Sequence, residues 1–122
     1  MRVVEIGSHR FTEVVCLDEA GQGGACHGYA VNEVLQDSDQ VQGVPFAQVT
    51  FQNGPVKEAG VNGCHNEDLI AIVIDRLQGF QSGDYRCREN ALALTKLEEA
   101  MHWLNHRTAD RQRRGVEGTN QE

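Results

Sequence analysis

The stretch CRENALALTKLEEAMHWLNHRTADRQRR, residues 87–114, decides the fold class for the second half of this 122-residue chain. Its apolar residues recur at heptad spacing, which is typical of a helix that packs along one stripe. The stripe consists of Leu94, Leu97, Met101 and Leu104. We expect a helix from about Tyr85 to about Arg114 that ends at Gly115.

The sequence before this stretch predicts a partner helix. Asn66 can cap it, and its first turn carries two acidic residues, which suit the positive end of a helix dipole. The body LIAIVIDRLQ, residues 69–78, is apolar on most sides, so it must be covered on more than one face by a second helix or another chain. We expect GFQSGDY, residues 79–85, to break the helix at Gly79 and Gly83. Together the two helices would form an antiparallel hairpin.

The first half of the chain indicates β-structure. Short segments rich in β-branched residues predict strands, and Asn53-Gly54 predicts a hairpin turn, with Pro55 starting a returning edge strand over residues 55–60. The predicted strand segments are RVVEI at 2–6, FTEVVCL at 11–17, a weaker HGYAVNEVL at 27–35, and VPFAQVTFQ at 44–52. The expected fold is therefore α+β: an antiparallel β-rich part over residues 1–62, then a helical hairpin and C-terminal tail over 63–122, in one compact domain.

Charge and composition narrow the class of function. The net charge is −7, yet residues 84–114 hold seven Lys or Arg against five Asp or Glu. A local cationic region in an acidic chain suits a small anion better than a long nucleic acid. With neither a signal peptide nor a membrane-spanning run, we expect a cytosolic protein that contacts no membrane, with four free cysteines mostly packed as small hydrophobes.

The arginines near the end of the last helix have two interpretations. Cations there complement the helix dipole and stay solvated, and Arg113 and Arg114 fit this role as well as any other. Arg107 and Arg111 lie one turn apart and continue the side that carries the stripe. Since guanidinium groups are planar bidentate donors to phosphate, these two favour an anion.

Three residues at the opposite end of the hairpin are also ambiguous. Asn90 extends the stripe backwards, where a polar residue either fixes helix register or bonds a ligand. Phe80 and Tyr85 lie in the predicted hairpin loop. Such aromatics usually join the core, but they can also stack on a purine base.

Neither a metal site nor a catalytic site is predicted. Cys26-His27 and Cys64-His65 are adjacent pairs, whereas zinc ligands usually stand about two to five residues apart. Neighbouring side chains in a strand also point to opposite faces. Because the sequence holds no recognisable set of nucleophile, base and orienting group, we expect neither an enzyme nor a bound cofactor.

Two stretches resemble the helical hairpin domain of the phage anti-Thoeris sponges, a hairpin that related anti-CBASS sponges share. They are TFQNGPVKEAGVNGCHNEDLIAIVIDRLQGFQ at 50–81 and CRENALALTKLEEAMHWLNHRTADRQRRGVEGT at 87–119. The resemblance covers roughly residues 49–119, and GGACHGY at 23–29 is similar to the family's β-region.

The resemblance implies that the protein binds a defence signal without cleaving it, in the cytoplasm of an infected bacterial host. TIR enzymes of Thoeris defence make glycocyclic ADP-ribose (gcADPR), which activates a cell-killing effector. The family's pocket uses the aromatic of GFQ, the Asn of CREN and the arginines of RTADR, which are Phe80, Asn90, Arg107 and Arg111 here. Some members also hold cyclic di- or trinucleotides at a separate site in a larger assembly.

One distance constrains the architecture of such a pocket. Asn90 and Arg107 are 17 residues apart, about 25 Å along a continuous helix. One small ligand can touch both only if a second chain runs antiparallel. We therefore expect a homodimer, able to assemble further into a hexamer, with the Leu94–Met101–Leu104 seam as the contact between chains. The tail GVEGT, residues 115–119, would close over the arginines.

Two other functions remain compatible with the residues alone. One is a small nucleic-acid-binding accessory protein that uses the arginine cluster, which would show a steep salt dependence. The other is a purely oligomeric phage protein whose hairpin serves only assembly.

Overall fold

The computed structural model describes residues 1–7 and 11–115. The chain divides into two compact units, Met1–Cys64 and His65–Glu122. In the described part of the first unit, four strands form an antiparallel sheet in chain order. The strands are β1 (Arg2–Val3), β2 (Thr12–Cys16), β3 (Gly28–Glu33) and β4 (Ala47–Thr50). The antiparallel β-rich first half is thus confirmed, including the weaker strand over residues 27–35.

The core of the sheet unit is small. Among the described residues, the buried apolar side chains are Val15, Cys16 and Ala30. Val15 pairs with Ala30 across β2 and β3, so these two side chains share one face, while Cys16 points to the other face opposite Tyr29. Tyr29 meets Phe51 edge to face, with ring centroids 5.8 Å apart. The sheet is therefore held together around its two central strands.

The predicted returning strand after Asn53-Gly54 is wrong. Residues Val56–Ala59 form a short helix, α1, which begins after Pro55 and ends at Gly60 with φ 74°. The fixed φ of proline suits the start of a helix, and the Pro55 carbonyl accepts the N–H groups of Glu58 and Ala59. The chain returns only at Cys64, whose main chain bonds to Thr50 and Gln52.

The second unit begins with helix α2, Asn66–Gln81. The capping residue is His65 and not the predicted Asn66. Asp68, three residues on, accepts the His65 main-chain N–H at 2.9 Å, as in one half of a capping box. The helix also continues through Gly79, which does not adopt a positive φ, and ends two residues before Gly83.

Helix α3 spans Arg88–Arg114, and Gly115 ends it in the left-handed conformation with φ 72°. The predicted end is confirmed, whereas the start lies three residues later than expected. Gln81 explains the late start, since its side chain bonds both the N–H and the carbonyl of Cys87 at 2.9 and 3.1 Å. These bonds hold Cys87 in an extended conformation just before the helix.

Helices α2 and α3 pack against each other across a six-residue connection, residues 82–87, which gives the expected antiparallel hairpin. The half-buried side chains of α3 lie on one face and include the predicted stripe. That face meets α2, so the seam serves the contact within the chain. At about 1.5 Å per residue, the 27 residues of α3 extend well beyond the 16 of α2.

The hairpin leaves much apolar surface open. No residue of α2 or α3 is fully buried. Ile72 is 65% exposed on α2, and Trp103 is 66% exposed on α3. The body of α2 was expected to need cover on more than one face, and α3 is the one element that packs against it among the described residues. None of the helices in the described residues combines the length and apolarity that crossing a membrane requires.

Candidate functional site

The connection between α2 and α3 gathers four side chains that we call the aromatic end: Arg76, Phe80, Tyr85 and Asn90. Phe80, in the last turn of α2, contacts Tyr85 edge to face with ring centroids 5.8 Å apart. The guanidinium carbon of Arg76 lies 4.8 Å from the Phe80 ring centroid, within cation–π range. Phe80 is half-buried and Tyr85 is 75% exposed, so the cluster is open to solvent.

Asn90 lies in the first turn of α3 and not in a helix interior. Its main-chain N–H donates to the Cys87 sulfur at 3.4 Å, which caps the helix. Its side-chain nitrogen is 3.5 Å from the Tyr85 carbonyl, at the limit of a hydrogen bond. The side-chain amide of Asn90 is therefore held only weakly, next to Tyr85.

The other end of α3 carries three side chains that we call the arginine end: Trp103, Arg107 and Arg111. Successive members are four residues apart, so they lie on neighbouring turns of one helix face. Arg107 is exposed and makes no hydrogen bond or ion pair with the described parts of the chain, whereas Arg111 is half-buried. A cationic donor is thus available beside an exposed indole.

Asp110 forms ion pairs with two of the four arginines near the end of α3. It accepts from Arg113 at 3.0 Å and from Arg114 at 3.1 Å. These pairs, in the last turn of the helix, fit the solvated, dipole-complementing role. Asp110 could also have reached Arg107 three residues before it, but its two oxygens face the other two side chains. Among the residues that the structure describes, Arg107 therefore has no acidic partner.

The structure brings Phe80 close to Asn90 through Tyr85, and it places Arg107 one turn from Arg111. It does not bring these two pairs together within one chain. Helix α3 is uninterrupted between Asn90 and Arg107, so they lie about 25 Å apart. The segment GVEGT, residues 115–119, was expected to cover the arginines, and all of it after Gly115 lies outside the described residues.

Two residues of these clusters were missed from the sequence. Trp103 lies four residues before Arg107, a spacing that could have identified it as a neighbour of the arginines. It is the one tryptophan in the chain, and it packs edge to face against His102 and His106 at 5.5 and 5.8 Å. Arg76 could have been found in the same way, since Phe80 follows it by four residues.

The fold and the two ends of the hairpin define an α+β protein whose helical hairpin exposes an aromatic-amide cluster and a separate cationic cluster. The profile of the family described as Acb2/Tad1, hairpin domain, matches residues 46–109. The chain belongs to this family, as the resemblance of its second half indicates. Three of the four expected site residues, Phe80, Asn90 and Arg107, lie within the matched segment, and Arg111 lies two residues beyond it.

One relative is described as Thoeris anti-defense 1, from Bacillus phage SBSphiJ7. The chain is 64% identical to it over 76 residues, which cover 62% of this chain and 54% of the relative. The match thus spans about half of the relative's length.

Proposed function

We propose that the protein counters Thoeris defence in an infected bacterial cell by binding gcADPR and holding it without cleavage. The observation that carries this proposal is Arg107, which is exposed and has no ion-pair partner among the described residues, on a hairpin of the Acb2/Tad1 family. The name of the relative, Thoeris anti-defense 1, supports the biological role.

The chemistry of the two ends suits the two parts of such a ligand. Phe80 and Tyr85 offer ring faces and edges on which an adenine can stack, and stacking of a base on an aromatic is worth about 1–3 kcal/mol. Asn90 offers an amide to the base or ribose. Arg107 and Arg111 offer planar donors to the pyrophosphate, where charge-assisted bonds are the strong ones.

The pocket would be completed by a second copy of the chain. We propose a two-fold dimer in which α3 helices run antiparallel, so that the arginine end of one copy meets the aromatic end of the other. Since the Leu94–Met101–Leu104 seam packs on α2 of the same chain, the contact between copies would use the exposed apolar side chains instead. Those on the hairpin include Ile72, Val73, Leu92 and Trp103. Such dimers could assemble into the hexamer.

Cyclic di- or trinucleotides are proposed as ligands of a separate site only by analogy with the family. The described residues offer no cluster that we can assign to them. A cyclic trinucleotide is therefore included as a second ligand in the binding experiment.

Calorimetry with three ligands tests the proposed function: gcADPR, a cyclic trinucleotide and a random oligonucleotide. We expect saturable binding of gcADPR with one site per chain and weak salt dependence. Binding of the oligonucleotide alone, with affinity that falls steeply with salt, would assign the arginines to nucleic acid instead. Binding of none of the three would leave a purely oligomeric protein.

Recovery of the ligand separates sequestration from turnover. Bound gcADPR should be released intact when the complex is denatured by heat, as judged by mass and chromatographic retention. A linear or hydrolysed product, growing with incubation time, would reveal an active site and contradict the proposal.

A further inference from the structure

Two cysteines of the sheet unit face one another outside the proposed ligand site. Cys16 ends β2, and Cys26 lies just before β3. Both thiols donate to the same acceptor, the Asp18 main-chain carbonyl, at 3.2 and 3.6 Å. The two sulfurs and an Asp18 carboxylate oxygen lie within 4.8 Å of one another. The two sulfurs are therefore neighbours, no more than 4.8 Å apart.

The surroundings give the two thiols different access to solvent. Cys26 lines an open cavity of about 450 Å³ together with Arg2, Asp18 and Tyr29. Cys16 does not line this cavity and is fully buried. A small reagent that enters the cavity thus meets Cys26 first.

The charged groups around the two thiols also differ. An Arg2 guanidinium nitrogen lies 3.9 Å from the Cys26 sulfur, and this bond is the main reason that the pKa of Arg2 is raised. The pKa of the Cys16 thiol is also raised, first by its hydrogen bond with Cys26 and then by burial. The Arg2 cation thus lies next to Cys26. A reactive cysteine is typically accessible, close to a cation and next to a second thiol.

A metal ion fits the same atoms less well. The Asp18 carboxylate already accepts the main-chain N–H groups of His27 and Gly28 at 3.0–3.1 Å, and these bonds hold its pKa below the ordinary value. The Arg2 cation would also oppose a second positive charge at the Cys26 sulfur. Within the described residues this group offers three possible ligands, fewer than the four that a closed zinc site requires.

We propose that Cys26 is a peroxide-sensitive thiol and that Cys16 is its resolving partner, so that oxidation links them in an intramolecular disulfide. The Cys26 sulfur attacks one oxygen of hydrogen peroxide, the O–O bond breaks, and water leaves with the thiol proton. The Cys16 sulfur then attacks the resulting sulfenic acid, the S–O bond breaks, and a second water leaves with the Cys16 proton. The peroxide accepts two electrons, and the two thiols supply them with two protons.

Tryptic mapping of the full chain tests this proposal, because trypsin leaves Cys16 and Cys26 in one peptide, residues 11–57, and separates them from Cys64 and Cys87. The reduced protein is treated with equimolar hydrogen peroxide, denatured and alkylated with iodoacetamide. We expect peptide 11–57 to lose two hydrogen atoms and to resist alkylation, while Cys64 and Cys87 are alkylated. Full alkylation of peptide 11–57 with oxidation at Cys64 or Cys87 would overturn the proposal.

Two matched variants test the order of the steps. In Cys16→Ser, the sulfenic acid at Cys26 has no partner and should be trapped by dimedone, whereas Cys26→Ser should give no adduct at Cys16. The reverse pattern would contradict the assigned roles. A third experiment incubates the reduced protein with zinc before alkylation. If one equivalent of zinc protects both thiols from alkylation, the pair is a metal site instead. The wild-type map decides the question even if a variant fails to fold.

Discussion

Gly63 approaches the main chain at the end of β4 so closely that it admits no side chain. A Cβ there would lie 2.6 Å from the Thr50 carbonyl oxygen and closer still to Phe51. Gly63→Ala should therefore lower the free energy of unfolding by about 1–3 kcal/mol, the usual cost of overpacking. Urea denaturation followed by circular dichroism measures it. Gly43→Ala is the control, since a Cβ there meets nothing within 4 Å, and an equal effect in both variants would contradict this explanation.

Arg107 and Arg113 form a matched pair for testing the ligand contact. Both are exposed cations near the same helix end, but Arg113 is bonded to Asp110. Arg107→Ala should weaken gcADPR binding more than tenfold, because a hydrogen bond to a charged group contributes about 1.5–3 kcal/mol. Arg113→Ala should weaken it about threefold at most. Calorimetry measures both affinities, and equal losses would mean that only the general positive field matters.

At the residue scale, the sequence predicts which candidate residues share a helix face, but it does not predict the partner of each side chain. Asn90 was singled out as a poor residue for a helix interior, yet it lies in the first turn of α3, where that argument is weak. Arg113 and Arg114 pair with Asp110, which favours their solvated role, and which of the three nearby arginines Asp110 contacts depends on rotamers. Spacing along a helix cannot reveal such a choice.

At the scale of elements, Gln81 fixes where α3 begins. Its side chain makes both hydrogen bonds to the main chain of Cys87. Gln81→Met should lower the free energy of unfolding of the hairpin by about 1 kcal/mol, given the modest net value of exposed hydrogen bonds. It should also speed amide exchange over residues 87–90. Gln78→Met, on the same helix but without these bonds, is the control, and the same loss there would point to helix propensity alone.

The strands and the long helix α3 were predicted from the sequence, whereas the short segment after Asn53-Gly54 was not. The heptad stripe identified α3 and its end at Gly115, because packing and a glycine cap act together there. The turn at Asn53-Gly54 failed to give a hairpin because Pro55 began a helix, which the local sequence supports equally well. Helix α2 was expected to break at Gly79, but it continues through this residue. Its contact with α3 outweighs the weak helix propensity of glycine.

At the scale of the whole molecule, the exposed apolar residues of the hairpin favour association with a second surface. Two helices alone bury none of their side chains completely, so a partner surface would add considerable stability. The heptad seam was expected to join two chains, but within the hairpin it faces α2. Periodicity predicts that a face will be covered and cannot predict by which helix.

The most direct test of the shared pocket is complementation between two inactive variants. Asn90→Ala damages the aromatic end and Arg107→Ala the arginine end, so each homodimer should bind gcADPR poorly. In a mixed dimer, both lesions fall in one pocket and leave the other intact. After subunit exchange of an equimolar mixture, calorimetry should recover high-affinity binding at about one site per mixed dimer. If exchange is verified by mass spectrometry and no high-affinity binding returns, the two ends of α3 do not meet across two chains.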